Sequence, residues 1–106
     1  MIVEVNLTGA DASVDLVKPE DVQQFHVAAR GGSPEALAAA LSAAEVGCLV
    51  PSGDAMINTQ AIRRMASGRV PAGWDDDFVA MLQYAKNKGW LGDNGETVQA
   101  HVEWTR

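Results

Sequence analysis

The chain has one cysteine, Cys48, so an internal disulfide is excluded, and its place in the apolar run Cys48-Leu49-Val50 leads to the expectation of a buried structural thiol. No apolar run is long enough to span a bilayer as a helix. Basic side chains are scarce, with eight Lys plus Arg against fourteen Asp plus Glu and a formal net charge of -6. The long-range field therefore repels nucleic-acid phosphate and anionic lipid, and neither a nucleic-acid nor a membrane partner is expected. HExxH, paired CxxC, GxGxxG, a Walker lysine, a GxSxG elbow and an SxxK pair are all missing. A hydrolase or nucleotide-binding enzyme of a familiar kind is not indicated, and no cofactor is expected. The opening residues Met1-Ile2-Val3-Glu4-Val5 lack a basic cluster and alternate like a strand, which leads to the expectation of a cytoplasmic protein. Repeats, low-complexity tracts and linkers are absent too, so the 106 residues are expected to form one domain.

The most legible stretch is residues 73–104, which holds all three tryptophans. Phe78, Met81, Leu82 and Ala85 repeat at the i, i+3, i+4, i+7 spacing of one helix face. Asp75 is expected to be the N-cap, with Asp76 and Asp77 complementing the helix dipole and a hydrophobic staple between Trp74 and Val79. Lys86 and Lys88 suit the other end, Gly89 suits a left-handed C′ position, and Trp90 is placed to return onto Ala85 in a Schellman motif. The spacing thus predicts a helix over 75–88. After an Asp93-Asn94-Gly95 turn signal, Val98, Ala100, Val102 and Trp104 alternate with Thr97, Gln99, His101 and Glu103. Such alternation predicts a half-buried strand with its tryptophan facing the core.

Earlier in the chain, alternation over residues 2–8 predicts a strand, and Val14 and Leu16 a second, with a turn at Gly9-Ala10-Asp11. Residues 1–18 then form a hairpin ended by Lys18-Pro19-Glu20-Asp21. Residues 22–29 fit a helix face and a strand face alike. The closing Gly31-Gly32 pair favours strand, as does the likeness of Gln24-Phe25-His26-Val27 to Gln99-Ala100-His101-Val102. Ser33 as N-cap and Pro34 at N1 open an alanine-rich helix whose Leu37, Ala40, Leu41 and Ala44 share a face, with Gly47 as its end. Residues 48–50 and 55–57 form a hairpin around Pro51-Ser52-Gly53-Asp54, and Thr59 caps a short helix with Ile62, Met65 and Ala66 inward. Ser67-Gly68 and Pro71 end that helix.

From residue 22 to 104 the order is β-α-β-β-α-β, which resembles the ferredoxin-like split βαβ plan. The expected fold is α+β: an antiparallel sheet of four core strands in that order, an added N-terminal hairpin, and helices on one face. The plan makes the first and last core strands antiparallel neighbours. His26 and His101 then share the helix-free face with Glu103, Gln24 and Gln99 as candidate ligand-binding groups. A second candidate is an anion site at Arg30-Gly31-Gly32-Ser33, where a strand enters a helix N-terminus, although Pro34 removes one amide. The basic cluster Arg63, Arg64 and Arg69 is more simply explained as offsetting Asp75, Asp76 and Asp77 than as a nucleic-acid reader. Successive aspartates on a helix diverge by about 100° and do not converge on one cation, so no metal site is expected. With no nucleophile singled out, the first functional expectation is a small acidic interaction or regulatory module, binding a protein partner or itself. The alternative is a small-molecule- or metal-binding protein, or an enzyme, built on the polar face around His26 and His101.

Overall fold

The computed structural model of the chain describes residues 1–8, 12–92 and 95–105. The expected turn at Gly9-Ala10-Asp11 and the Asp93-Asn94 part of the second turn lie outside the described residues. Six strands form one sheet: β1 (Ile2–Asn6), β2 (Ser13–Val17), β3 (His26–Arg30), β4 (Gly47–Leu49), β5 (Ala55–Asn58) and β6 (Thr97–Thr105). Three helices accompany them: α1 (Pro34–Ala43), α2 (Thr59–Ala66) and α3 (Trp74–Asn87).

The α+β class holds, but the ferredoxin-like order does not. The strands run β2-β1-β3-β6-β5-β4, and the sheet is mixed. β1 and β3 are parallel, β3 and β6 are parallel, and the β1–β2, β4–β5 and β5–β6 pairs are antiparallel. The physical reason lies in the N-terminal hairpin. A strand has two edges, and β1 occupies the edge of β3 that the ferredoxin order would give to β5. β5 therefore pairs with β6 instead, and β6 rather than β3 joins the two halves of the sheet. Alternation fixes which face a residue takes, not the direction or the neighbour of its strand.

Val3, Val5, Leu16, Val27, Ala29, Ala55, Ile57, Val98, Ala100 and Val102 bury the inner face of this sheet against Leu37, Leu41, Ile62 and Phe78. Both short helices touch strands from opposite halves of the sheet: α1 meets β4 and β2, α2 meets β5 and β2. The sheet therefore curls around them.

Helix α1 opens as its sequence requires. Ser33 is extended and its hydroxyl accepts from the Ala36 amide at 3.2 Å, with proline in the first turn. Its end is different, because Gly47 is the first residue of β4 and Glu45 takes the left-handed position instead, at φ 58°. Glu45 donates to the Ser42 carbonyl and Val46 to that of Leu41, completing a Schellman motif around a non-glycine residue. In α2 the N-cap position belongs to Asn58, while buried Thr59 donates its hydroxyl to the Gly95 and Glu96 carbonyls.

α3 starts one residue early, with Gly73 at the N-cap position, so Asp75 is a first-turn residue and not the cap. Trp74 is not part of a staple either. It is buried, its ring stacks on Phe78 at 5.0 Å, and its indole donates to the Pro19 carbonyl at 2.6 Å. Asp75 instead pairs with Arg63 at 3.1 Å in an exposed ion pair, a kind worth about 0–1 kcal/mol. Burying Phe78 alone contributes roughly 1.5–3 kcal/mol, so aromatic packing rather than charge fixes the start of α3. The other end is as expected: Gly89 donates to Lys86 and Trp90 to Ala85, the latter at 2.8 Å.

Three side chains expected in the core are not there. Cys48 is exposed, because β4 turns Gly47 and Leu49 inward and Cys48 outward. Trp90 is 43% exposed and Trp104 46% exposed, the strand's buried face ending at Val102. No helix among the described residues is long and apolar enough to cross a membrane.

The left-handed Glu45 is a stored cost that glycine would remove. Glu45→Gly is expected to raise stability by about 1 kcal/mol, read as a higher urea midpoint with unchanged slope. A midpoint that stays put or falls would contradict the helix end described above.

Candidate functional site

β6 is covered on one edge by two different segments. Leu91 bridges Val98, with the Gln99 amide donating to the Trp90 carbonyl at 2.7 Å, and two residues later His101 already pairs with His26 of β3. The partner of β6 thus changes around Ala100. Beside this change of partner is a cavity of about 300 Å³ lined by Val22, Gln23, Phe25, Asp54, Met81, Tyr84, Ala85, Trp90, Val98, Gln99 and His101. Its apolar wall comes from α3, Trp90 and the segment before β3. Its polar wall comes from β6 and the residue preceding β5.

The polar wall follows from register. In the antiparallel β5–β6 pair, Ala55 lies opposite Ala100 and Met56 opposite Gln99, so Asp54 precedes β5 at the level of His101. The Gln99 side-chain amide donates to Asp54 Oδ2 at 2.8 Å, and His101 Nδ1 lies 3.7 Å from Asp54 Oδ1. Ser52 Oγ adds a long contact to the same carboxylate at 3.4 Å. On the other edge, His26 is the direct partner of His101, and its Nε2 lies 3.4 Å from Glu103 Oε2. The sheet therefore sets Asp54, His101 and His26 in a row, with Gln99 and Glu103 as neighbours along β6.

His26 and His101 are neighbours on one face, as the sequence led us to expect, though across a parallel ladder. Glu103 and Gln99 join them. Gln24 does not, since it precedes β3 and its side chain donates to Asp21 Oδ2 at 2.8 Å. That hydrogen bond is the first cause of a carboxyl held below the usual aspartate range at Asp21. His26 and Glu103 are also not among the cavity-lining residues. Asp54 is the functional group the sequence reading missed. It looked like the last residue of a tight turn, and only the β5–β6 register reveals that it faces Gln99 and His101.

Among the described residues, no group of three or more His, Cys, Asp or Glu is placed to hold a metal ion. Among the described residues, the cavity wall carries no serine, threonine, cysteine or lysine, and its ionisable groups of interest are the His101 imidazole and the Asp54 carboxylate.

The Arg30-Gly31-Gly32-Ser33 segment has structural occupations. Both glycines have positive φ, and a Cβ on Gly31 would lie 2.6 Å from Thr8 Cγ2, one on Gly32 2.8 Å from Leu7 Cδ1. The Leu7 amide donates to the Arg30 carbonyl, the Gly31 amide to that of Thr105, and the Ser33 hydroxyl is taken by the helix cap. Arg30 is exposed on the outer face of β3. The three arginines of the basic cluster also have partners: Arg63 with Asp75, Arg64 with the Ala44 carbonyl, and Arg69 with Asp15 and the Leu16 carbonyl.

No family model, curated protein or solved structure matches the chain.

Close approach of Leu7 and Thr8 makes the glycine pair a packing requirement. Gly31→Ala is expected to destabilise by more than about 1 kcal/mol, from the combination of positive φ and the Thr8 contact. Thermal or urea denaturation reads the effect; a neutral substitution would show that the segment is free to rearrange.

Proposed function

We propose that this protein binds a small organic molecule in the cleft between α3 and β6. The observation that carries this reading is the pairing of one aromatic and aliphatic wall with a second wall where Asp54, Gln99 and His101 converge. Ligand clefts combine a mostly apolar lining with a few placed polar groups, and their volumes run from about 300 to 1,000 Å³. This cavity sits at the small end of that range, which suits a single-ring compound. Formation of the cleft moves the small-molecule alternative ahead of the interaction module. A cytoplasmic setting belongs to the same proposal, supported by an exposed lone thiol that a reducing compartment would keep free.

The test is a fragment screen followed by amide NMR. Single-ring fragments are expected to shift the amides of Gln99, His101, Tyr84 and Trp90 together. Met81→Trp, which fills the cleft from α3, should then weaken binding at least about tenfold without unfolding the chain. If fragments fail to bind, shift residues elsewhere, or bind Met81→Trp as before, the reading is lost.

Self-association is the second reading, favoured by the exposed Trp104 near the end of β6 and by β2 and β4 as sheet edges. The net charge of -6 supports a protein partner over nucleic acid. Light scattering on a sizing column should then report a dimer that Trp104→Ser shifts toward monomer. A monomer at all concentrations would remove this alternative.

A further inference from the structure

We infer that the cleft selects an organic cation, a small amine with an apolar or aromatic body. The inference rests on the small-molecule reading above and names its ligand class. Among the described residues, the wall holds one carboxylate, that of Asp54, and no arginine or lysine. That carboxylate is built into place. Gln99 holds Oδ2 at 2.8 Å, the His101 ring sits at 3.7 Å from Oδ1, and the side chain keeps 29% of its surface open. A carboxylate has about four acceptor positions, so capacity remains for an incoming donor.

The neutral amide of Gln99 orients Asp54 without cancelling its charge. An ammonium group completes the arrangement, whereas a carboxylate ligand would meet repulsion and an uncharged ligand would lack the attraction between opposite charges. The opposite wall carries the aromatic side chains Phe25, Tyr84 and Trp90, a residue type suited to a cation and its apolar body. Tyr84 already shows this chemistry, with Lys88 Nζ 5.5 Å from its ring centroid. The chain's net charge of -6 favours arrival of a cation over an anion.

The probes are phenethylamine, phenethyl alcohol and phenylacetate, matched in shape and differing in head-group charge. Each is titrated into the full chain at neutral pH and followed by amide NMR, then again with Asp54→Asn. Phenethylamine is expected to bind at least about tenfold tighter than the alcohol, from the attraction between its ammonium and the carboxylate, with phenylacetate weakest. Asp54→Asn should bring amine and alcohol to within about twofold. If the alcohol and phenylacetate bind as well as the amine, the cleft binds small molecules but does not select cations. If Asp54→Asn keeps the amine preference, Asp54 is not its source and the inference fails. Should none of the three bind, the small-molecule reading falls and the cation inference with it. The series on the unaltered chain decides the ligand class even where Asp54→Asn does not fold.

Discussion

β6 has two edges used in opposite senses, and the rest of the molecule depends on that. Parallel pairing with β3 ties it to the N-terminal hairpin, and antiparallel pairing with β5 ties it to the β4–β5 hairpin. Remove β6 and the sheet separates into a three-stranded and a two-stranded piece. Because β6 is central, its inward residues Val98, Ala100 and Val102 are buried in the core, the buried face ending at Val102. Its outward residue His101, where the β3 ladder begins one residue past the β5 ladder, has side chains on both edges. A position that an edge strand would leave with one lateral neighbour here has two, which is how Asp54 and His26 come to flank His101.

The second constraint is the anchoring of α3, which supplies the apolar wall. Its first turn is set by the Trp74 ring stacked on Phe78 and by an indole hydrogen bond to Pro19, the residue pair that links the helix to the chain following β2. Leaving that buried carbonyl unpaired would cost about 1–3 kcal/mol, more than the exposed Arg63–Asp75 ion pair returns. Its last turn is set by the Schellman motif through Gly89, after which Trp90 and Leu91 run onto β6. Both ends are thus tied to different parts of the sheet. The helix is held across the gap between the pre-β3 segment and the start of β6 and does not fill it, and the cleft is the space left over.

Local order was legible in the sequence wherever one residue type answers one local demand. Ser33 with Pro34 gave the start of α1, Gly89 with Trp90 the end of α3, and the alternation of residues 97–103 the facing of β6, though not that of Trp104. Demands set by distant partners were not legible. Trp74 has the local look of a staple, but its partner Pro19 lies 55 residues away. Glu45 fills a role that sequence assigns to glycine, and it can do so because Asn58 in β5 donates to its carbonyl at 3.1 Å. Strand order was misread for the same reason. The βαββαβ string is shared by several topologies, and the choice among them was made by β1, an element outside that string. Even so, the His26 and His101 neighbourhood was found, because shared polar facing survives a change of strand direction, whereas Asp54 depends on one particular register.

That contrast bears on function. What gives His101 a different setting from His26 is the cleft: His101 and Asp54 line it, and His26 and Glu103 do not. Two imidazole–carboxylate neighbours of similar spacing, 3.4 and 3.7 Å, are therefore not equivalent. The carboxylates differ in setting: Glu103 is 57% exposed, whereas Asp54 is 29% exposed, is held by Gln99 and shares the cleft wall with apolar side chains; the histidines run the other way, His26 at 19% and His101 at 70%. Electrostatic attraction between a fixed charge and a ligand grows as water is displaced from around it. At the Asp54 end of the row a held charge, an aromatic wall and a cleft coincide, and the proposed selectivity for a charged ligand rests on that coincidence rather than on the histidines that first drew notice.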